Sequence, residues 1–126
     1  MNVAKNTGLK RFYYATCYSA KGIKAAYVSE PAFRYEVWAA LVMLPCAFWL
    51  AESGLQLGIL VSSLLLVLIC ELLNSAIEAV VDRAGTEFNT LAGFAKDLGS
   101  AAVLFALVIT LLLWGGIAWD NLLVAA

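Results

Sequence analysis

Three long apolar runs, interrupted by short polar breaks, dominate the chain: about 32–51, about 55–81 and about 98–119. At ~1.5 Å per residue each is long enough, as a helix, to cross a hydrocarbon core of ~30 Å. Pro31 suits the first helical position of the first run, with Glu30 just outside it near the positive end of the helix dipole. Trp38 and Trp49 fall near opposite ends of that run, where interfacial aromatics belong, and Pro45 predicts a kink. Glu52-Ser53-Gly54 reads as a tight turn, and residues 82–97 read as a polar connection. On the third run Gly99, Ala102 and Ala106 recur at helical spacing, which lets another helix approach closely.

The first run is preceded by a different pattern over about 8–27. Leu9, Phe12, Tyr13, Thr16, Ala20, Ile23 and Tyr27 share one side at helical spacing, with Lys10, Arg11, Lys21 and Lys24 off that side. This predicts an amphipathic helix lying on a membrane surface, with Gly22 as a point where it can break. An ordinary docking helix of a soluble domain is the plainer reading, but the rest of the chain offers no such domain.

The second run departs from uniform hydrophobicity at its end, in CELLNSAIEAVVDR (Cys70 to Arg83). Glu71, Asn74, Glu78 and Asp82 fall on one stripe of a helix. An acidic residue at mid-bilayer costs roughly 3 kcal/mol on insertion scales, so such a residue faces a bundle interior and marks function. By helical rise Glu71 lies about 10 Å deeper than Glu78. That is the level of a lipid headgroup hydroxyl, which places Glu71 to accept a proton from a lipid. Glu30 and Glu78, nearer the water, are placed to hold a divalent cation, because Mg²⁺ prefers one or two carboxylates plus substrate phosphates. Lys96 can meet phosphate as a point cation. Helix glue through hydrogen bonds, about 1 kcal/mol each, is the bland alternative and suits Asn74 as well as a site role does. It suits Glu71 and Glu78 less, because two acids on one face repel unless a cation or proton lies between them. Asp82 reads as a solvated helix end, and Arg34 and Glu36 as interfacial anchors.

Composition narrows the class. The chain has 126 residues, 63% hydrophobic and 13% charged, which is one small all-α membrane unit, 1–126. A net charge of −1 gives no bulk case for nucleic acid, and there is no His. Cys17, Cys46 and Cys70 are scattered, with no CxxC pair for zinc or a disulfide framework. All eight Lys and Arg lie in the N-terminal segment, at the start of the first run or in the second connection, so the positive-inside rule puts the N-terminus and the 82–97 connection in the cytoplasm. No GxxxxGK loop or GxGxxG is present, so spacing alone does not reach ATP.

ELLNSAIEAVVDR followed by AKDLGSAAV resembles the signature of the small prokaryotic diacylglycerol kinases, and the likeness extends through TGLKR, YSAKGIKAA and SEPAFRYE. The resemblance implies a homotrimer in the bacterial inner membrane, each subunit with three spanning helices and one surface helix. It implies MgATP-dependent phosphorylation of diacylglycerol to phosphatidate, in sites shared between subunits. By the same resemblance Glu71 matches the general base, Asn74 supports it, and Glu30 and Glu78 match metal-binding carboxylates that also contact nucleotide. Arg11, Tyr18, Glu87, Phe88, Asn89, Lys96 and Asp97 match ATP-contacting positions. Arg11, Ser19, Arg34, Trp49, Glu71, Ser100 and Trp114 match lipid-substrate positions. Two alternatives stay open: an undecaprenol kinase of the same family, and, from another class, a small proton-coupled transporter. A transporter wants its acid near the midplane between inverted repeats, whereas these acids crowd one end and no repeat is visible.

Overall fold

The computed structural model describes residues 7–124 as four helices joined by short links. Helix α1 is Leu9–Ser29, α2 is Pro31–Leu50, α3 is Gly54–Arg83 and α4 is Thr90–Ala118, the last running on into a wider π turn at Trp119–Val124. By length and apolar composition α2, α3 and α4 with its extension can each cross a membrane. Most of their large apolar side chains are exposed, including Leu41, Phe48, Leu65 and Phe105. In water that surface would be a liability; in a bilayer it can meet lipid or another apolar helix.

Each boundary has a local cause. Glu30 is the extended residue between α1 and α2: its N–H bonds to Ala26 O, its own carbonyl accepts from Arg34 N, and Pro31 opens α2. Ser53 caps α3, its hydroxyl accepting from Gln56 N at 3.1 Å. Asn89 caps α4, its side-chain oxygen accepting from Leu91 N at 2.9 Å and Ala92 N at 3.1 Å. This cap starts α4 at Thr90, so Lys96 and Asp97 ride on helix rather than in the expected polar connection, which shrinks to a short loop. Gly85 turns that loop with φ 144°, a backbone that a side chain would strain. Helix α1 runs unbroken through Gly22, and α2 remains helical through Pro45.

Helix α3 is the centre of the molecule. It packs most extensively on α4 and less on α2, while α1 leans on α2. Its buried residues, Leu60, Ser63, Leu64, Val67, Glu71 and Asn74, follow steps of three and four, one seam along one face. Helix α4 answers with Gly99, Ala106 and Thr110, whereas Ala102, expected on the same small-residue stripe, is exposed. The apolar core lies at one end of the seam, where Ala47, Leu50 and Leu60 are packed by Leu57, Trp114 and Ile117. The polar stripe lies at the other end.

Candidate active site

The seam carries Glu71 and Asn74 into the protein rather than into lipid: they are 7% and 9% exposed. Asn74 Nδ2 donates to Glu78 Oε1 at 3.3 Å, one turn on, and so holds that carboxylate on the same stripe. Asn74 Oδ1 is buried without a hydrogen-bond partner and lies against Gly99 of α4, where a Cβ would collide with it. The Asn74 amide fits against α4 at this level because residue 99 has no side chain. Glu36 of α2 comes close enough for its carboxyl to bear on Glu71, and Glu36 Oε2 is buried without a partner. Among the described residues these two oxygens are the buried side-chain acceptors left unpartnered. Glu30 and Glu78 are close enough for their charges to bear on Glu71.

Among the described residues no Lys or Arg forms an ion pair with this group. Among the described residues the one ion pair is Lys96–Asp82, at 2.7 Å, bridging α4 and α3 on an exposed face. Asp82 is therefore a tether for Lys96 as well as a helix end. Arg34 turns the other way: its guanidinium donates to the carbonyls of Tyr27 (3.2 Å) and Val28 (3.3 Å), free acceptors at the end of α1, and lies 6.0 Å from the Tyr27 ring. Trp38 Nε1 adds a bond to the Tyr27 hydroxyl at 2.9 Å, so α1 and α2 are latched beside Glu30.

Two clefts open near the carboxylates. One, of about 510 Å³, lies between α1 and α3 and includes Ser19, Ala26, Glu30, Leu72 and Ser75. The other, of about 740 Å³, lies under the α3–α4 loop and includes Val81, Glu87, Phe88 and Asn89. Of the expected nucleotide positions, Glu87, Phe88 and Asn89 share this second cleft, with Asn89 also serving as the α4 cap. Arg11 is exposed and Tyr18 half-buried on α1, and Asp97 is exposed on α4. Of the expected lipid positions, Ser19 lines the first cleft; Trp49 and Ser100 are exposed on α2 and α4. Trp114 sits at the far end, its indole N–H donating to Ser63 Oγ at 2.9 Å. Glu36 is what sequence reasoning undervalued. A signal was present: Glu36 is six residues past Glu30 and Glu71 seven before Glu78, so in antiparallel helices the two pairs sit at matching depths, about 9–10 Å apart.

Among the described residues no three His, Cys, Asp or Glu side chains form a ready-made metal cage. The donor set nonetheless suits a hard cation that takes one or two carboxylates and completes its shell with phosphate oxygens: Glu30 and Glu78 have no cationic partner among the described residues, and Asn74 steadies Glu78.

A helical membrane protein with a cluster of uncompensated carboxylates at one end of its central seam is thus the class that fold and site define. The family model for prokaryotic diacylglycerol kinase matches residues 17–118. The chain is 49% identical to a diacylglycerol kinase of Haemophilus influenzae over 113 residues, 90% of this chain and 96% of that one. It is 47% identical to the diacylglycerol kinase of Escherichia coli K12 over 115 residues (91% and 94%) and to that of Pseudomonas aeruginosa over 111 residues (88% and 90%). The chain belongs to the prokaryotic diacylglycerol kinase family and is an enzyme of the kinase class.

Proposed function

We propose that the protein transfers the γ-phosphoryl group of ATP to the primary hydroxyl of diacylglycerol, giving phosphatidate and ADP, at the cytoplasmic face of the bacterial inner membrane. The observation that carries this reading is the burial of Glu71 on the α3 seam, a turn or two from carboxylates that no cation offsets among the described residues. A base at that depth meets an alcohol anchored in lipid, while the phosphate donor stays in water above it. Glu71 accepts the hydroxyl proton as the oxygen attacks the γ-phosphorus and the bond to the β-phosphate oxygen breaks. Asn74 keeps Glu78 turned along the stripe. A divalent cation held by Glu30 and Glu78 would neutralise charge on the phosphates of ATP. Lys96 leaves Asp82, its exposed partner, to meet the same phosphates. Most of the acceleration comes from positioning and fixed charge rather than covalent chemistry, as is general for phosphoryl transfer. The chain is too slender to enclose two substrates by itself, and a homotrimer whose neighbours wall the two clefts completes the site.

Radiolabel transfer from [γ-³²P]ATP in detergent micelles, with and without Mg²⁺, tests the reading. Label should enter diacylglycerol and depend on Mg²⁺. Label entering undecaprenol instead would move the chain to a polyprenol substrate, and proton flux without phosphoryl transfer would end the kinase reading.

A further inference from the structure

Helix α1 is held to the rest of the chain by few contacts. Of its residues only Ala26 is buried, and it leans on α2. Toward α3 a cleft of about 510 Å³ stays open, with Ser19, Gly22 and Ala26 on one wall and Leu72 and Ser75 on the other. Glu30, with φ −113° and ψ 102°, is the single residue between α1 and α2, so the angle between them turns on its two backbone torsions. With so little packing, that angle rests on two braces across the joint. The inner brace is Arg34, one turn into α2, donating to the carbonyls of Tyr27 and Val28 at 3.2 and 3.3 Å. The outer brace is the Trp38 indole N–H, two turns in, donating to the Tyr27 hydroxyl at 2.9 Å. The Tyr35 ring, edge-on to the indole with centroids 5.7 Å apart, steadies the donor. One contact beside a hinge leaves rotation free; a second, farther out along one arm, removes it. The leverage is large. At ~1.5 Å per residue Ser19 stands ~16 Å from Glu30, so a change of ~10° at the joint moves that wall of the cleft by ~3 Å and the pivot hardly at all.

We propose that Trp38 and Tyr27 are positioning residues for the reaction: their hydrogen bond sets the angle of α1 and so the width of the α1–α3 cleft in which the diacyl substrate sits. The proposal rests on the kinase reading and takes that cleft, where Ser19 lies, as the seat of the lipid. With the bond lost, the competent angle becomes a fraction of the population, and the apparent affinity for lipid falls by that fraction. Glu71 stands on α3, outside the part that swings, so the chemical step is untouched.

The test uses the full chain in lipid micelles, with Tyr27→Phe, Trp38→Phe and the double variant. Tyr27→Phe removes one hydroxyl and leaves both the ring beside Arg34 and the carbonyl that Arg34 holds. KM for diacylglycerol should rise by about 3- to 10-fold in either single variant, the range over which one hydrogen bond shifts an equilibrium. The rate at saturating lipid and the Mg²⁺ needed for half-activity should not change. The double variant should be no worse than the worse single one, because the two groups make one bond. Native cysteines report the angle directly: Cys17 lies on α1 and Cys46 on α2, both exposed. In a Cys70→Ala background, nitroxides on those two, diluted with unlabelled chain, should give a double electron–electron resonance distance distribution that broadens in both variants. Unmoved distances in both overturn the proposal whatever the activity. Altered distances with KM for lipid unchanged, a loss confined to kcat, or additive losses in the double variant also overturn it. Altered distances in a protein that phosphorylates no lipid support the latch while the kinase reading fails.

Discussion

The two ends of the α3–α4 seam are built from the same helices and are chemically opposite. At the far end, among the described residues, no buried side-chain polar atom lacks a partner. Ser63 Oγ accepts from Trp114, Thr110 donates to Ser63 O and to Ala106 O, and Asn121 ties Gln56 to Leu50 O. At the other end, among the described residues, two buried oxygens lack partners, carboxylates gather without a cation, and a side chain at residue 99 would collide with the Asn74 amide. Satisfied buried polar groups specify how helices pack. Unsatisfied ones cost stability and persist where something binds. The seam therefore divides into a clamp and the proposed reaction centre, and substitutions at the two ends should read out differently.

The largest expected effect is at Glu71. Glu71→Gln keeps size and hydrogen-bonding capacity but removes the base, and kcat should fall by ~10²–10⁴-fold with folding intact. Phosphorylation of diacylglycerol at the parent rate would remove Glu71 from the mechanism. Glu78→Gln comes next. Losing one of two carboxylates should raise the Mg²⁺ concentration for half-activity by about 10-fold or more, read from rate against Mg²⁺ and from Mn²⁺ binding by electron paramagnetic resonance. An unchanged titration would place the cation elsewhere.

Gly99→Ala is a smaller and more diagnostic change, because it acts through Asn74. The added Cβ collides with Asn74 Oδ1, so either the helices part or the Asn74 amide swings away from Glu78. Half-activity should move to several-fold higher Mg²⁺, with KM for lipid less affected. If both constants hold, the close approach at residue 99 is packing alone.

How much of this the sequence carried depends on the kind of signal. Spans were legible because apolar length is a one-dimensional property, and the α3 stripe because a helix turns at a fixed rate. The α4 start was misread because Asn89 acts as a cap, so residues 90–97 looked like loop while one hydrogen-bonding side chain made them helix. Within the single chain Gly99 and Ala106 of the small-residue stripe are buried and Ala102 is not, and neighbouring small residues in a sequence give no indication of which of them faces α3. Glu36 looked like an anchor because its meaning lies in a contact between helices, which a single helix pattern does not encode.

At the clamp end Ser63→Ala should cost about 1 kcal/mol, since Trp114 Nε1 loses its acceptor in a half-buried position. Turnover per folded molecule should not change. A rate loss there without a stability loss would erase the division between the two ends.

The smallest effect is expected at Asp82, on the rim of the reaction centre. The Lys96–Asp82 pair is short but open to solvent, with side chains 42% and 65% exposed, so screening leaves it little to contribute to stability. Asp82→Asn should leave the melting temperature unmoved. It should also release Lys96, and if Lys96 must leave Asp82 to meet phosphate, the substitution removes a competitor. KM for ATP should then fall by up to a few-fold at low salt, and the difference from the parent should shrink as salt screens the pair in the parent protein. A KM that rises instead would mean that Asp82 aims Lys96 at the nucleotide, so that the ion pair belongs to the reaction centre and the boundary drawn along the seam moves outward by one turn.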